Sequence, residues 1–258
     1  MRTWAELPAL EAAAAQPLPA EDPAIDALSP EDRAILARIW AERAESELGA
    51  GAVFSAVSRG LFAEGAGREV LWLAARAVCD ELRHAEICRH VAARYGGRTP
   101  DLAAPPAVPD PPGSAALYAV INCAVNETIG SAFLTACHDE ARGALARAAL
   151  RELLTDEVDH ARIGWALLGS DRLAEGTRRE AMRALPELVG VARAAWVRRA
   201  AELPEELPPG HGCLCRGDVL AVVDHALSHL VLPGFEHVGI DPRRYDHRAR
   251  TRGGSAHE

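Results

Sequence analysis

The pattern Asp-Glu-x-x-His-Ala occurs twice in this chain, at Asp80–Ala85 and again at Asp156–Ala161. Both copies lie in alanine- and leucine-rich stretches whose apolar residues recur at three- and four-residue spacing, the period of an amphipathic helix. On such a helix, Glu and His three positions apart project from one face. That face is otherwise apolar. Around Glu81 and His84 it carries Ala74, Ala77, Val78, Cys88 and Val91; around Glu157 and His160 it carries Leu150, Leu153, Leu154, Gly164 and Leu168. Any fold for this sequence must therefore point two Glu–His pairs into its core. A short repeat in two helical segments further implies pseudo-twofold symmetry.

The surrounding sequence sets the element order. Ser29-Pro30-Glu31-Asp32 is a helix start, with a serine cap, proline at the first helical position and acids in the first turn. The pattern predicts a first helix from there to about Leu61, and a second from near Glu69 to Gly96-Gly97. Pro100, Pro105, Pro106, Pro109, Pro111 and Pro112 then make 98–113 a long connection. A third helix is expected over about Ser114–Cys137 and a fourth over about Ala141–Leu168. A fifth, with Pro186 as an expected kink, follows over about Arg172–Leu203, and a shorter sixth over about Asp218–Leu232. Two helices, a long linker and two more helices make a four-helix bundle with one crossover. Residues 1–28 read as an N-terminal arm, 29–170 as the bundle and 171–258 as a C-terminal helical extension.

Composition agrees and removes several functions. The chain is 49% hydrophobic but only 5% aromatic, alanine dominates, and the β-branched residues that sheets need are sparse, so the fold class is all-α. Against 37 acids stand 28 bases, every one an arginine. Lysine Schiff-base chemistry and a Walker-type phosphate loop are thereby excluded. A net charge of −9 with no basic block argues against nucleic acid. Glu6 and Glu11 interrupt any signal-peptide reading of the N-terminus. The six cysteines form no CxxC pair, which argues against a disulfide framework. Pro111–His138 is long and apolar, but Asn122, Asn126 and Glu127 at its centre fit a fully buried helix better than a membrane span. These features together predict a cytoplasmic protein.

The first and third helices complete the constellation. On the third, the face Val120, Cys123, Ala124, Glu127, Gly130, Ser131, Leu134 carries one charge, Glu127. On the first, the face Leu36, Trp40, Ala44, Glu47, Gly51, Phe54 selects Glu47, while Glu42 and Glu45 rotate outward. Four interior carboxylates cannot all stay ionised uncompensated, because desolvation costs several kcal/mol per ion and mutual repulsion adds to it. Two divalent cations would balance them, with the two imidazoles as neutral donors. Carboxylate-rich ligation with one nitrogen per metal suits iron or manganese better than zinc.

The order E…ExxH…E…ExxH across about residues 30–170 resembles the ferritin-like di-iron carboxylate superfamily, its oxygenase and oxidase branch more than the storage ferritins. The resemblance implies a ferritin-like four-helix bundle with a long crossover between its second and third helices. It also implies two iron ions, or manganese, held by Glu47, Glu81, His84, Glu127, Glu157 and His160. Asp80 and Asp156 are similar to the aspartates that orient metal-bound histidines in multicomponent monooxygenases and acyl carrier protein desaturases. Ser131 resembles the hydroxyl residue that monooxygenases keep near the oxygen-binding face, or serves as a small residue for close helix packing. Cys88 and Cys123, one turn from ligands, are placed to line a small apolar pocket or simply to fill the core.

Departures from the family narrow the expectation. Cys88 stands where ribonucleotide reductase small subunits place a radical tyrosine. No rubredoxin-type CxxC pair is present, and Leu153 stands where aminobenzoate-type N-oxygenases carry a third histidine. The long remainder after the fourth helix suggests a lid or a homodimer surface. The implied function is a non-haem di-iron oxidase or oxygenase that activates O2 to oxidise a small organic substrate. An external donor such as a ferredoxin or flavin reductase would be its electron source, and neither nucleic acid nor membrane its partner. The alternatives are a ferritin-like iron-binding ferroxidase without an organic substrate, and a bundle using its site structurally. Asp224-His225 with His229, and His211-Gly212-Cys213-Leu214-Cys215, lack full ligand sets and read as structural.

Overall fold

A computed structural model describes residues 17–102, 114–170, 173 and 175–240; among these the secondary structure is helical and no strand occurs. The first long helix, α2 (Pro30–Ala63), follows a single turn, α1 (Pro23–Asp26). Ser29 caps α2, its Oγ accepting from the Asp32 amide at 3.1 Å. Gly65, at φ +71°, turns the chain into α3 (Arg68–Gly96), and α3 ends on Gly97 in the left-handed conformation that relieves the last carbonyls. The two helices pack along one another through most of their length. Pro100 lies in the described start of the connection; the remaining prolines of 98–113 lie outside the described residues, as does the segment 1–16.

The third expected helix is three pieces in continuous sequence. They are α4 (Ala115–Ala119), a π-helical segment π1 (Val120–Glu127), and α5 (Thr128–Glu140). The π turns are absent from the 3.6-residue reading, and such insertions frequently mark functional sites. The helix is buried on one side only, where the sequence suggests full burial. Cys123, Ala124, Ile129 and Leu134 face inward, while Thr135 is exposed. By length and composition, Ala115–Glu140 and Arg216–His237 could each cross a membrane. In the first, Glu127 belongs to the carboxylate cluster described below.

The fourth helix, α6 (Ala144–Gly169), packs against α3, π1 and α5. It is tied to its neighbours by buried caps. Asp22 Oδ2 accepts from the Leu145 amide at 2.9 Å, and Glu140 accepts from the amides of Gly210 and Gly212. Similarly, the Glu64 carboxylate at the end of α2 accepts from the first two amides of α4, Ala115 and Ala116. The described end of the N-terminal arm is thus docked, with Ile25 buried in the core. Gly164 lets α6 meet π1. A Cβ there would lie 2.8 Å from the Ala124 Cβ and closer still to its nitrogen.

Beyond α6, α7 (Glu175–Ala201) runs through Pro186 without a break in helix. It is followed by α8 (Arg216–Ala226), a second π segment π2 (Leu227–Val231) and α9 (Leu232–His237). α8 packs on both α5 and α7. The core that joins these layers includes Leu36, Trp40, Phe54, Leu61, Leu145, Leu150, Leu153 and Ile163, each at most 1% exposed. Full burial of each large aliphatic side chain contributes about 1.5–3 kcal/mol, which offsets the cost of enclosing charged groups beside it.

Candidate metal centre

Four helical segments bring the six expected ligands together: α2 supplies Glu47, α3 Glu81 and His84, π1 Glu127, and α6 Glu157 and His160. They form two groups in which one ligand atom from each residue lies within 4.8 Å of all the others. Glu47, Glu81, His84 and Glu157 make the first; Glu81, Glu127 and His160 make the second. Glu81 belongs to both, the position of a bridging carboxylate. Glu42, which the helical period turns outward, pairs instead with Arg38 at 2.7 Å on the surface.

Both imidazoles present Nδ1 to the centre. His84 Nδ1 lies 3.6 Å from Glu81 and 3.5 Å from Glu157, and His160 Nδ1 lies 3.1 Å from Glu81 and 3.8 Å from Glu157. Neither Nδ1 has a hydrogen-bond partner, nor does Glu81 Oε2, although all three atoms are buried. Orphaned polar atoms in a core are costly. Several converging on one point are what a cation would satisfy, so the residues fit a two-metal site.

The aspartates beside each motif serve the opposite helix. His84 Nε2 lies 3.2 Å from Asp156 Oδ2, and His160 Nε2 is 3.5 Å from Asp80 Oδ2. Each aspartate is in turn held by arginine. Arg83 on α3 bonds Asp156, with Glu152 also 3.3 Å away, while Arg76 bonds Asp80 at 3.1 Å and Asp159 at 2.7 Å. At hydrogen-bond distance Asp156 fixes the His84 tautomer that leaves Nδ1 free to ligate, whereas Asp80 stands at ion-pair distance from His160 Nε2, which is buried without a hydrogen-bond partner among the described residues. The crossed arrangement ties α3 to α6 at the level of the site. Arg76 stands four residues before Asp80, so its helical pairing was readable from spacing; Arg83's reach to α6 was not.

Electrostatics follow from this enclosure. Burial, together with the charges of Glu81 and Glu157, pushes the Glu47 carboxyl up to about 8. Burial and the same kind of repulsion raise Glu127 well above the usual carboxylate range and Glu157 to about 7. Burial opposes ionisation of Glu81 as well, but attraction to the His160 and His84 imidazoles beside it outweighs burial and holds the group at about 2. Burial would lower both histidines. Asp156 and Glu81 instead raise His84 to about 10, and Asp80 and Glu81 raise His160 to about 11. Within the cluster, Glu81 is the carboxylate held ionised, with the two imidazoles as its counter-charges, while the other three carboxyls are pushed toward their protonated forms.

One cavity, of about 290 Å³, reaches the centre. It is walled by Glu47, Glu127 and Glu157 at one end, by Ala50, Gly130, Leu134, Phe133 and Trp196 along its sides, and by Arg43, Asn126 and Arg199. Ser131 opens elsewhere, into a groove of about 970 Å³ with Thr128, Thr135, Trp165 and Leu230, so it does not share the cavity that Glu127 lines. Cys88 and Cys123 are fully buried, their thiols pushed up by burial, and line none of the three described cavities. Arg43 carried a readable signal, a lone arginine on the apolar face of α2 between Trp40 and Glu47. Arg199 and Trp196 come from α7, and local spacing could not place them.

The remaining candidates are structural. His211 is buried, its Nδ1 2.9 Å from the Tyr95 hydroxyl, and Cys213 is buried beside it. His225 and His229 stack at 4.3 Å with no third metal-ligating partner among the described residues. No protein-family model matches the chain, and no curated protein or solved structure is significantly similar to it.

Proposed function

We propose that the chain is a ferritin-like di-iron protein acting as a non-haem oxidase or oxygenase on a small organic substrate. The observation that carries this reading is Glu81 shared between two ligand groups drawn from four helical segments, with buried, unpartnered imidazole nitrogens aimed at the same point. Glu47, His84 and Glu157 would help hold one metal and Glu127 and His160 the other, with Glu81 common to both groups. When bound, two ferrous ions would supply electrons for O2 activation, and a ferredoxin or flavin reductase would restore them. The chain's own residues do the rest. Asp156 holds the His84 imidazole in its ligating tautomer, and the 290 Å³ cavity orients an organic molecule against Glu47, Glu127 and Glu157 under a cover of Phe133 and Trp196.

Phe133, Leu134 and Trp196 on the wall of that cavity favour an organic substrate over simple iron oxidation. The second reading, a ferroxidase, is favoured by a different observation: Glu42, Glu45 and Glu202 line the adjoining outer chamber and would attract cations. Anaerobic Fe(II) titration followed by Mössbauer spectroscopy and O2 uptake tests both. Two irons per chain in one coupled pair are expected, with loss of the pair in Glu81→Ala and Glu157→Ala. A wild type that binds no iron pair, or variants that bind it unchanged, would overturn the assignment. Core mineral accumulating over many turnovers would select the ferroxidase.

A further inference from the structure

Two arginines stand where the cavity at the metal centre meets the outer chamber; Glu47 lies near enough to attract both, but among the described residues neither has a carboxylate within ion-pair distance. Arg43 is 4% exposed. Its Nη2 donates to the Gly212 carbonyl at 3.1 Å and contacts Cys137 Sγ at 3.4 Å, and its planar group lies 4.2 Å from the Trp40 ring centroid. Its Nη1 is buried with no partner at all. Arg199 reaches in from α7, donating to Ser46 Oγ at 2.8 Å, and among the described residues no acid lies within ion-pair distance of either guanidinium. Both arginines, with Phe133 and Trp196, line the inner cavity of about 290 Å³ and the outer one of about 310 Å³.

A buried guanidinium with an unused N–H loses hydrogen-bond energy that burial elsewhere must offset. Two like charges side by side add repulsion. Both costs are relieved by one anion, and a guanidinium's planar fork matches a carboxylate. The space beyond carries Phe133, Leu134 and Trp196 alongside the Glu47, Glu127 and Glu157 carboxyls, and it is at the small end of ligand cavities.

We propose that Arg43 and Arg199 form a collar that binds the carboxylate of an organic acid, with its apolar body extending past Phe133 and Trp196 toward the metal centre. The inference rests on the di-metal reading only for what happens at the far end; the collar itself is a binding site for a carboxylate with a hydrophobic or aromatic body. The same positive collar opposes passage of metal cations from the outer acids to Glu47.

The test is calorimetric titration of the purified protein, with and without two equivalents of Fe(II) under anaerobic conditions. The probes are benzoate, hexanoate, benzamide and inorganic phosphate. At least one of the two carboxylates should bind at one site per chain, about tenfold or more tighter than the uncharged benzamide, since a charge-assisted hydrogen bond is involved. Arg199→Met and Arg43→Met should each weaken that binding by a similar factor, leaving benzamide binding and the two-metal stoichiometry unchanged. Arg199 is at the surface, so its variant stays informative if Arg43→Met fails to fold. Benzamide binding as tightly as benzoate, phosphate binding more tightly than either carboxylate, no binding of either carboxylate, or carboxylate binding indifferent to Arg199 would overturn the collar. Two bound metals with no carboxylate binding would sink this inference alone. Arginine-dependent carboxylate binding in a protein that takes up no metal would sink the di-metal reading and leave the collar standing.

Discussion

Loading the centre with two divalent cations should expel protons in a number that its geometry sets. At pH 7, before loading, Glu81 at about 2 is ionised, and His84 at about 10 and His160 at about 11 carry protons. Glu47 at about 8 is a neutral acid and Glu157 at about 7 is half-titrated, while burial and the neighbouring Glu157 and Glu81 push Glu127 up in the same direction. Coordination requires neutral imidazoles and ionised carboxylates. Two metals therefore displace about one proton each from His84, His160 and Glu47, and about half of one from Glu157, with any proton on Glu127 adding to the total. The physical reason is that a buried cluster tolerates little net charge: the protons keep it near neutrality before loading, and two dications against four carboxylates do so afterwards. The sign follows. Raising pH favours the ligating form of every group, so the overall two-metal association constant should rise by at least about three powers of ten per pH unit near neutrality. It should rise less steeply above pH 8, where Glu47 ionises unaided. Titrating Mn(II) or anaerobic Fe(II) in buffers of different ionisation enthalpy at pH 7 counts the protons from the dependence of heat on buffer. Release of one proton or none would refute the reasoning, because the imidazoles could not then be ligands drawn from their aspartate-paired, protonated state.

Three further outcomes follow from the same geometry. Because Glu81 is shared between the ligand groups, Glu81→Ala should cost both metals, whereas Glu47→Ala and Glu127→Ala should each leave one, as counted by metal analysis after equilibrium dialysis. Asp156→Asn should weaken the metal held by His84 by about 10–100-fold. Because the pairing is crossed, Asp156→Asn combined with His84→Ala should be no worse than His84→Ala alone, and additivity of the two losses would break that assignment. Gly164→Ala should destabilise the fold by about 1–3 kcal/mol in urea unfolding, since its Cβ would meet Ala124 at 2.8 Å. An unchanged midpoint would mean that π1 does not approach α6 this closely.

The helices and the candidate ligands were legible in the sequence for a local reason. A helix places residues three and four apart on one face whatever it packs against, so Glu81 with His84 and Glu157 with His160 could be read as inward pairs. Patterns of the same kind singled out Glu47 and Glu127 and turned Glu42 outward. Charge arithmetic carried the inference one step further: four interior acids are nearly half of the chain's net −9 and call for compensating cations.

Tertiary structure decided everything that depends on which helix faces which. Asp80 and Asp156 each lie one residue before their own motif, yet each stands beside the histidine of the other copy, because α3 and α6 cross at that level. A regular 3.6-residue count through Val120–Glu127 could not show the π turns or the partial exposure of that helix. Nor could it show Ser131 opening away from the cavity of Glu127. The junction of Arg43 with Arg199 and Trp196 joins α2 to α7, elements far apart in sequence. Spacing along one helix carries no information about a partner so distant, and only packing of the C-terminal extension onto the ligand-bearing helices brings them together.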